Sequence, residues 1–341
     1  MPDALMERFA QAWSRLDPQL ASVIKAIFVQ WGDDPPVYQF PPVQARQAIS
    51  RLQLFWSAGA PAVPHVEERT IPGASGPVRV RLYDPGVPAP APTVIFLHGG
   101  GWVLCDIDLY DGVARQVAVR AGVRCLSVDY GLAPEHPFPI PVQDCVAAVR
   151  WAASDGKELG IDPDRMAIAG DSAGATLALA TCLALRDAGE PLLRGAALIY
   201  GAFSDDAETP SQQTYGDGSY LLSTPEMKWY WDCYAPDSAS RQEPLAVPLK
   251  ANLQGLPPLY VAAAEFDPLR SDSEELVAKL KDIEAPVEFR LWPRMTHACL
   301  NLAGWVEAVR PEIDRIGEFV RRVTVSPPQT ASVTEATGGG S

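Results

Sequence analysis

A serine lies at the centre of the pentapeptide Gly170-Asp171-Ser172-Ala173-Gly174. The pentapeptide follows a predicted strand over 166–169 and precedes a predicted helix, which is the context that a G-x-S-x-G turn requires. Small residues at both flanks permit a sharp turn, because larger side chains would clash with neighbouring backbone. The turn would present Ser172 Oγ at a helix N-terminus, where backbone N–H groups favour negative charge. We therefore interpret Ser172 as a candidate nucleophile.

A run of three glycines lies earlier in the chain, in His98-Gly99-Gly100-Gly101-Trp102, directly after a predicted strand over 93–97. Such a run is also compatible with a simple flexible turn. However, consecutive glycines leave their N–H groups free to converge on one oxygen, and acyl transfer needs donors of this kind for its oxyanion. The run therefore indicates an oxyanion-binding loop.

A serine nucleophile needs a general base, and the chain has only four histidines. His65 precedes the predicted sheet, His98 belongs to the glycine run, and His136 lies in a loop bounded by prolines. Only His297 comes late enough for the chain order serine, acid, histidine, since it follows a predicted strand over 287–291. We therefore predict that His297 is the base.

The acid that orients the histidine is expected on the loop after the preceding strand, over 259–263. Asp267 is our first choice, with Glu265 and Asp272 in reserve. A carboxylate here would fix the imidazole tautomer and stabilise the imidazolium. The alternative is a strand-end carboxylate without a catalytic role.

Strands and helices that position these residues alternate from residue 78 onward. Apolar runs predict strands over 78–83, 93–97, 123–128, 166–169, 196–200, 259–263 and 287–291. Helical patterns fall over 111–121, 142–153, 173–188, 273–282 and 305–323. This alternation predicts an α/β fold with a mostly parallel central sheet flanked by helices, formed by residues 61–325.

Two regions depart from this alternation. Residues 1–60 contain two predicted helices, over 4–16 and 44–56, separated by a proline-rich stretch. Residues 203–235 form a polar segment followed by aromatic residues. We interpret both as a helical cap over the active edge of the sheet; the alternative is that the N-terminal part packs behind the sheet. Residues 326–341 have almost no apolar content and are predicted to be disordered, with a C-terminal Gly-Gly-Gly-Ser that resembles an artificial linker.

The formal net charge of −14 disfavours nucleic acid and anionic membranes as partners. No segment is long enough to cross a bilayer, and the first residues do not form a secretory signal. The six cysteines include no C-x-x-C pair, which favours free thiols over a disulfide framework or a metal site. We therefore expect a reducing, cytoplasmic location and no metal.

Together these motifs resemble the hormone-sensitive-lipase-like esterases, a branch of the α/β hydrolases. The resemblance covers roughly 78–323 and includes the glycine run, the serine pentapeptide, Asp129-Tyr130-Gly131-Leu132-Ala133-Pro134-Glu135 and Asp267-Pro268-Leu269-Arg270. It implies an α/β-hydrolase fold with a helical cap, and a serine carboxylesterase of the acetyl-esterase type that needs no cofactor. It also implies an oxyanion hole formed by the N–H groups of Gly100, Gly101 and Ala173, short- to medium-chain acyl substrates and a homodimer.

The chain departs from the family pattern at two places. The family usually has arginine where this chain has Gly131, and it has Gly-Phe after the histidine, where this chain has Ala298-Cys299. The second change lies beside the base and bears on the placement of His297.

The substrate pocket is expected to contain apolar and aromatic residues near the glycine run or in the cap. The candidates are Trp102, Tyr215, Tyr220, Leu221 and Trp229. The predicted reaction is hydrolysis of a small-molecule ester through an acyl-serine. The alternatives are an amidase or peptidase with the same triad, and a non-catalytic ligand receptor on the same fold.

Overall fold

One eight-stranded sheet forms the centre of the computed structural model, which describes residues 9–325. The strands are β1 His65–Pro72, β2 Pro77–Asp84, β3 Ala91–Leu97, β4 Arg124–Asp129, β5 Ile161–Asp171, β6 Ala196–Ile199, β7 Leu259–Phe266 and β8 Val287–Thr296. Their order across the sheet is β1-β2-β4-β3-β5-β6-β7-β8. Strand β2 is antiparallel to β1 and β4, and all other neighbours are parallel.

The helices cover both faces of the sheet and its carboxyl edge. They are α1 Pro18–Trp31, α2 Pro42–Ser50, α3 Gln53–Ser57, α4 Asp111–Ala121, α5 Ile140–Ser154, α6 Ala173–Asp187, α7 Pro210–Tyr215, α8 Thr224–Tyr234, α9 Arg270–Asp282 and α10 Arg310–Val325. Helix α4 packs against α10, and α5 packs against α6. This layering confirms the predicted α/β-hydrolase fold.

The central strands are buried on both faces, as their continuous apolar sequences indicated. Every residue of β3 is buried, and so are the last six residues of β5. Strand β1 was missed because its sequence, HVEERTIP, is largely polar and its residues remain mostly exposed. Charged side chains are common on edge strands, where they discourage pairing with another chain.

Helix α1 was also missed, although its cap can be read from the sequence. Asp17 accepts hydrogen bonds from the amides of Gln19 and Leu20, and Pro18 occupies the first helical turn. The predicted helix over 44–56 is instead α2 followed by α3, and the last helix begins at Arg310 rather than at 305. The prediction over 4–16 is helical at 9–13, while residues 1–8 and the tail at 326–341 lie outside the described residues.

The N-terminal helices lie over the carboxyl edge of the sheet, not behind it. Trp13 Nε1 donates a hydrogen bond to Ser219 O (2.8 Å), which joins this region to the segment that contains α7 and α8. Arg46 of α2 donates to Val103 O (2.7 Å) and to Ala133 O (2.8 Å), in the loops that follow β3 and β4.

Candidate active site

The turn between β5 and α6 holds Ser172 in an unusual backbone conformation, with φ 54° and ψ −124°. This turn, residues 170–174, is called the elbow below. A Cβ built on Gly174 would lie 2.0 Å from Leu97 O, and one on Gly170 would lie 2.4 Å from the backbone carbon of Gly174. The two flanking glycines are therefore required by close backbone contacts, and the strain they permit places Ser172 at the sheet edge.

Sheet register brings the other two predicted triad residues together. Strands β7 and β8 end with the paired residues Phe266 and Thr296. The residues that directly follow them, Asp267 and His297, therefore lie side by side. His297 Nδ1 lies 2.8 Å from Asp267 Oδ2, and its Nε2 lies 2.9 Å from Ser172 Oγ. The three side chains thus form one continuous hydrogen-bonded chain.

Nearby carboxylates prepare His297 to accept a proton, against the effect of burial. Burial by itself lowers the pKa of the imidazole, but the charge and hydrogen bond of Asp267 outweigh it, with help from Asp171 and Glu226. The resulting pKa lies above the ordinary histidine value. Asp267 is fully buried, and its Oδ1 accepts the amide of Leu269 (2.8 Å), which fixes the carboxylate.

The glycine run lies beside the elbow because β3 pairs with β5, with Leu97 opposite Gly170. Gly100 (φ 111°) and Gly101 (φ 60°) adopt backbone conformations that favour glycine. A Cβ on Gly100 would lie 2.3 Å from Leu104 O. Within residues 9–325, no acceptor takes the N–H groups of Gly100, Gly101 or Ala173. These amides are therefore available to an oxyanion.

Asp171, the residue before the serine, links the elbow to the glycine run. Its carboxylate accepts the amide of Gly99 (3.0 Å) and the hydroxyls of Tyr110 (3.0 Å) and Tyr200 (3.3 Å). Complete burial raises the pKa of Asp171 to about 6, although these donors and the charge of His297 oppose the rise. Sequence reasoning gave Asp171 no role, and the structure shows it as the connection between the two motifs.

The remaining histidines serve elsewhere. His98 is buried and stacks on Tyr130 at 4.3 Å between ring centroids, and burial lowers its pKa. His65 Nε2 lies 3.0 Å from Glu67 on β1, and His136 Nδ1 lies 3.1 Å from Ser75 Oγ. None of these three contacts the serine.

The two reserve acids also have other partners. Glu265 accepts the amide of Arg294 (2.7 Å), and Asp272 accepts the amides of Phe203 and Ser204 (2.9 Å each). Asp267 is the acid that meets the histidine.

Of the two departures from the family pattern, the one at Gly131 has a local explanation. The amide of Gly131 donates to Asp144 Oδ2 (2.9 Å), and a Cβ at this position would lie 3.0 Å from both Asp144 and His136. Ala298 has φ 59°, a conformation in which glycine is at ease and alanine is strained. The strain is accommodated, since His297 still reaches both Asp267 and the serine hydroxyl.

A cavity of about 510 Å³ leads from the surface to Ser172 and His297. Of the predicted pocket residues, only Leu221 lines it. The aromatic residues that line it are Phe9, Phe28, Trp31, Tyr38, Trp56, Tyr110 and Tyr230. A larger cavity of about 880 Å³, next to Phe319 of α10, contains no triad residue.

Four pocket predictions need correction because those side chains pack within the protein. Trp102 is fully buried and stacks on Tyr234 at 4.3 Å. Tyr220 stacks on Phe266 at 5.3 Å, and Tyr215 meets the edge of the same cluster. Trp229 lies beside Tyr230. The N-terminal helices, which belong to the predicted cap, supply much of the wall instead.

Within residues 9–325, no group of three or more His, Cys, Asp or Glu side chains is arranged to hold a metal ion. The helices of the same part of the chain are also too short or too polar to cross a membrane.

Comparison with known proteins relates this geometry to a family. A sequence model described as the α/β-hydrolase fold matches residues 94–301. Esterase LipI of Mycobacterium tuberculosis is 37% identical over 259 residues, which are 73% of this chain and 79% of that protein.

Two solved structures are similar over nearly the whole chain. A thermostable esterase from Pseudomonas putida ECU1011 has a TM-score of 0.85 at 32% identity, covering 92% of this chain and 98% of its own. A hyperthermophilic esterase from the archaeon Pyrobaculum calidifontis has a TM-score of 0.86 at 32% identity, covering 91% and 99%. The chain therefore belongs to the hormone-sensitive-lipase-like esterase family of the α/β hydrolases.

Proposed function

We propose that the protein is a carboxylic ester hydrolase that cleaves short- to medium-chain acyl esters through an acyl intermediate on Ser172. The observation that carries this proposal is the hydrogen-bonded chain from Asp267 through His297 to the serine hydroxyl, next to three unoccupied amides. Relatives named esterase and carboxylic ester hydrolase support the reaction class.

In the first half-reaction, Ser172 Oγ attacks the ester carbonyl carbon while His297 Nε2 accepts the hydroxyl proton. The carbonyl oxygen becomes negative and is stabilised by the N–H groups of Gly100, Gly101 and Ala173. The carbon–oxygen bond to the alcohol then breaks, and the imidazolium returns its proton to the departing alkoxide.

In the second half-reaction, water replaces the alcohol. His297 accepts a proton from this water, and the resulting hydroxide attacks the acyl carbon. The bond between the acyl carbon and Ser172 Oγ then breaks, and the imidazolium protonates the serine oxygen. The products are a carboxylic acid and the free serine, and no metal or organic cofactor takes part.

The direct test is Ser172→Ala with p-nitrophenyl acetate as substrate. Loss of the nucleophile should lower kcat by at least about 10³-fold, because only binding and the oxyanion amides remain. Ser127→Ala, a buried serine on β4 away from the elbow, is the matched control and should keep normal turnover. Turnover near the wild-type level in Ser172→Ala would refute the proposal.

Two further measurements separate the alternatives. An amidase or peptidase would cleave p-nitroanilides at rates comparable with the matching p-nitrophenyl esters, whereas we expect a strong preference for esters. A non-catalytic receptor would leave Ser172 unlabelled by a fluorophosphonate probe, whereas we expect labelling of Ser172 only. A series of p-nitrophenyl esters of increasing acyl length tests the proposed chain-length range.

We also propose a cytoplasmic location. The six cysteines, all within residues 9–325, are free thiols, which is typical of reducing compartments. Cell fractionation with an antibody against the protein tests this proposal.

A further inference from the structure

One acidic side chain of the catalytic cavity has no role in the proposed mechanism. Glu226 lies in the first turn of α8 and lines the cavity that contains Ser172 and His297. Its Oε1 accepts the hydroxyl of Tyr230 (2.8 Å). The Tyr230 ring packs over the glycine run, since a Cβ built on Gly101 would lie 2.2 Å from Tyr230 Cδ1. The carboxylate is therefore close to the reacting centre.

Helix capping does not explain this placement. Ser223 caps α8, and its Oγ accepts the amide of Glu226 (3.3 Å). A glutamate at this position of a capping box usually returns its carboxylate to the amide of the cap residue. Within the described residues no such bond to Ser223 forms, because the Glu226 carboxylate points to Tyr230 and the cavity.

The described residues that line the cavity include more acidic than basic side chains. Among its described lining residues are the carboxylates of Asp34, Asp171, Asp217 and Glu226, and there is no lysine or arginine. Asp34 pairs with Arg51 (2.6 Å), and Asp171 is held by three donors of the protein. Asp217 accepts the amide (2.9 Å) and the hydroxyl (2.6 Å) of Ser219. Glu226 has a hydroxyl donor but no lysine or arginine within ion-pairing distance in the described part of the chain. It is therefore the acid whose partner can come from a ligand.

The pKa of Glu226 is consistent with a carboxylate that lacks a cationic partner in the protein. Burial raises its pKa to about 7, although the Tyr230 hydrogen bond and the charge of His297 oppose the rise. Glu226 is half-buried at the cavity wall. A carboxylate shielded from water without a cation is unfavourable, and a cation nearby would favour its ionised form.

We propose that Glu226 selects esters that carry a positively charged amine close to the scissile bond, an inference that rests on the proposed ester hydrolysis at Ser172. The same wall offers aromatic faces for such a cation. The short turn Val37–Gln39 packs against α8. Tyr38 of this turn, Trp31 and Trp56 line the same cavity as Glu226.

The turnover test compares acetylcholine with its uncharged isostere, 3,3-dimethylbutyl acetate, at about pH 8, where Glu226 is largely ionised. The wild-type kcat/KM should favour the cation by about tenfold, and Glu226→Gln should abolish this preference while preserving size and the Tyr230 hydrogen bond. The matched control is Asp232→Asn, which removes a charge from the outer side of α8, where Asp232 pairs with Lys228 and Arg241. This control should keep the preference.

A binding test makes the inference independent of turnover. In the Ser172→Ala protein the same two esters can be titrated intact by calorimetry, and acetylcholine should bind about tenfold more tightly unless Glu226→Gln is also present. Equal preference with and without Glu226, in turnover or in binding, overturns the inference. Wild-type protein that hydrolyses neither these two esters nor p-nitrophenyl acetate contradicts the proposed function instead, and the binding ratio then decides the role of Glu226.

Discussion

At the scale of single residues, His297 connects the acid to the nucleophile, with Nδ1 on Asp267 and Nε2 on Ser172. An asparagine at this position cannot accept the serine proton. We predict that His297→Asn lowers kcat for p-nitrophenyl acetate by at least about 10³-fold, with a circular dichroism spectrum like that of the wild type. His136→Asn is the control, because this histidine contacts Ser75 and not the serine of the elbow. Greater loss in His136→Asn would show that the base is misassigned.

His297 should also determine how catalysis depends on pH. His297 acts as a base only when neutral, so kcat/KM should fall as the pH drops through its pKa. Burial lowers this pKa, but Asp267 and the other nearby carboxylates raise it above the ordinary histidine value. We predict an acidic limb with an apparent pKa above 6.5 in a profile of kcat/KM against pH. A limb below that value would contradict the electrostatic account of the site.

At the scale of elements, one arginine fastens the N-terminal helices to the catalytic loops. The Arg46 guanidinium on α2 donates to the carbonyls of Val103 and Ala133 and pairs with Glu135. Arg46→Met keeps much of the apolar stem but leaves these acceptors without their donor. We predict a loss of about 1–3 kcal/mol in the free energy of unfolding, measured by urea denaturation.

A second arginine on the same segment provides the control for this prediction. Arg51 pairs with Asp34, but the two side chains are 43% and 41% exposed. Exposed pairs contribute at most about 1 kcal/mol. Arg51→Met should therefore change the stability less than Arg46→Met does, and equal changes would show that Arg46 does not fasten the cap.

The elements that could be predicted from sequence were those whose local pattern matches their burial. Strand β3 is apolar throughout and buried throughout. Strand β1 escaped prediction because an exposed edge strand needs no apolar run. The apolar residues of helix α1 are interrupted by Lys25, so its clearest signal is the start at Asp17 and Pro18.

At the scale of the whole molecule, chain order was enough to propose the triad, but it could not give the cavity. The register of β7 and β8 places Asp267 and His297 side by side. The order serine, acid, histidine along the chain pointed to both residues without knowledge of that register. The cavity wall instead depends on how separate cap segments pack. Trp102 lies next to the glycine run in sequence yet is buried against Tyr234, whereas Trp31 of α1 reaches the cavity from far away in the chain.

The raised pKa values of the acids around the serine should make the whole protein more stable in mildly acidic than in mildly alkaline solution. Burial raises the pKa of Asp171 to about 6 and that of Glu226 to about 7, so both carboxyls bind protons more strongly in the folded state. The free energy of unfolding then decreases as the pH rises from about 5 through these values. His297, with its raised pKa, acts in the same direction, because its stabilising charge is lost as the pH rises. His98 acts in the opposite direction, since its lowered pKa favours folding at higher pH.

The net charge of −14 adds repulsion that weakens as carboxylates take up protons. Asp272, a buried acid whose pKa burial raises well above its ordinary value, acts in the same direction as Asp171, Glu226 and His297. These four groups and the net charge act against His98, and we predict a Tm higher by a few degrees at about pH 6 than at about pH 8. Differential scanning calorimetry at constant ionic strength measures this difference. Glu226→Gln should reduce it, because the neutral amide has no charge to bury, whereas Asp232→Asn on the exposed side of α8 should not. A Tm that increases between pH 6 and pH 8 would mean that His98, not the acids around the serine, dominates the proton balance of folding.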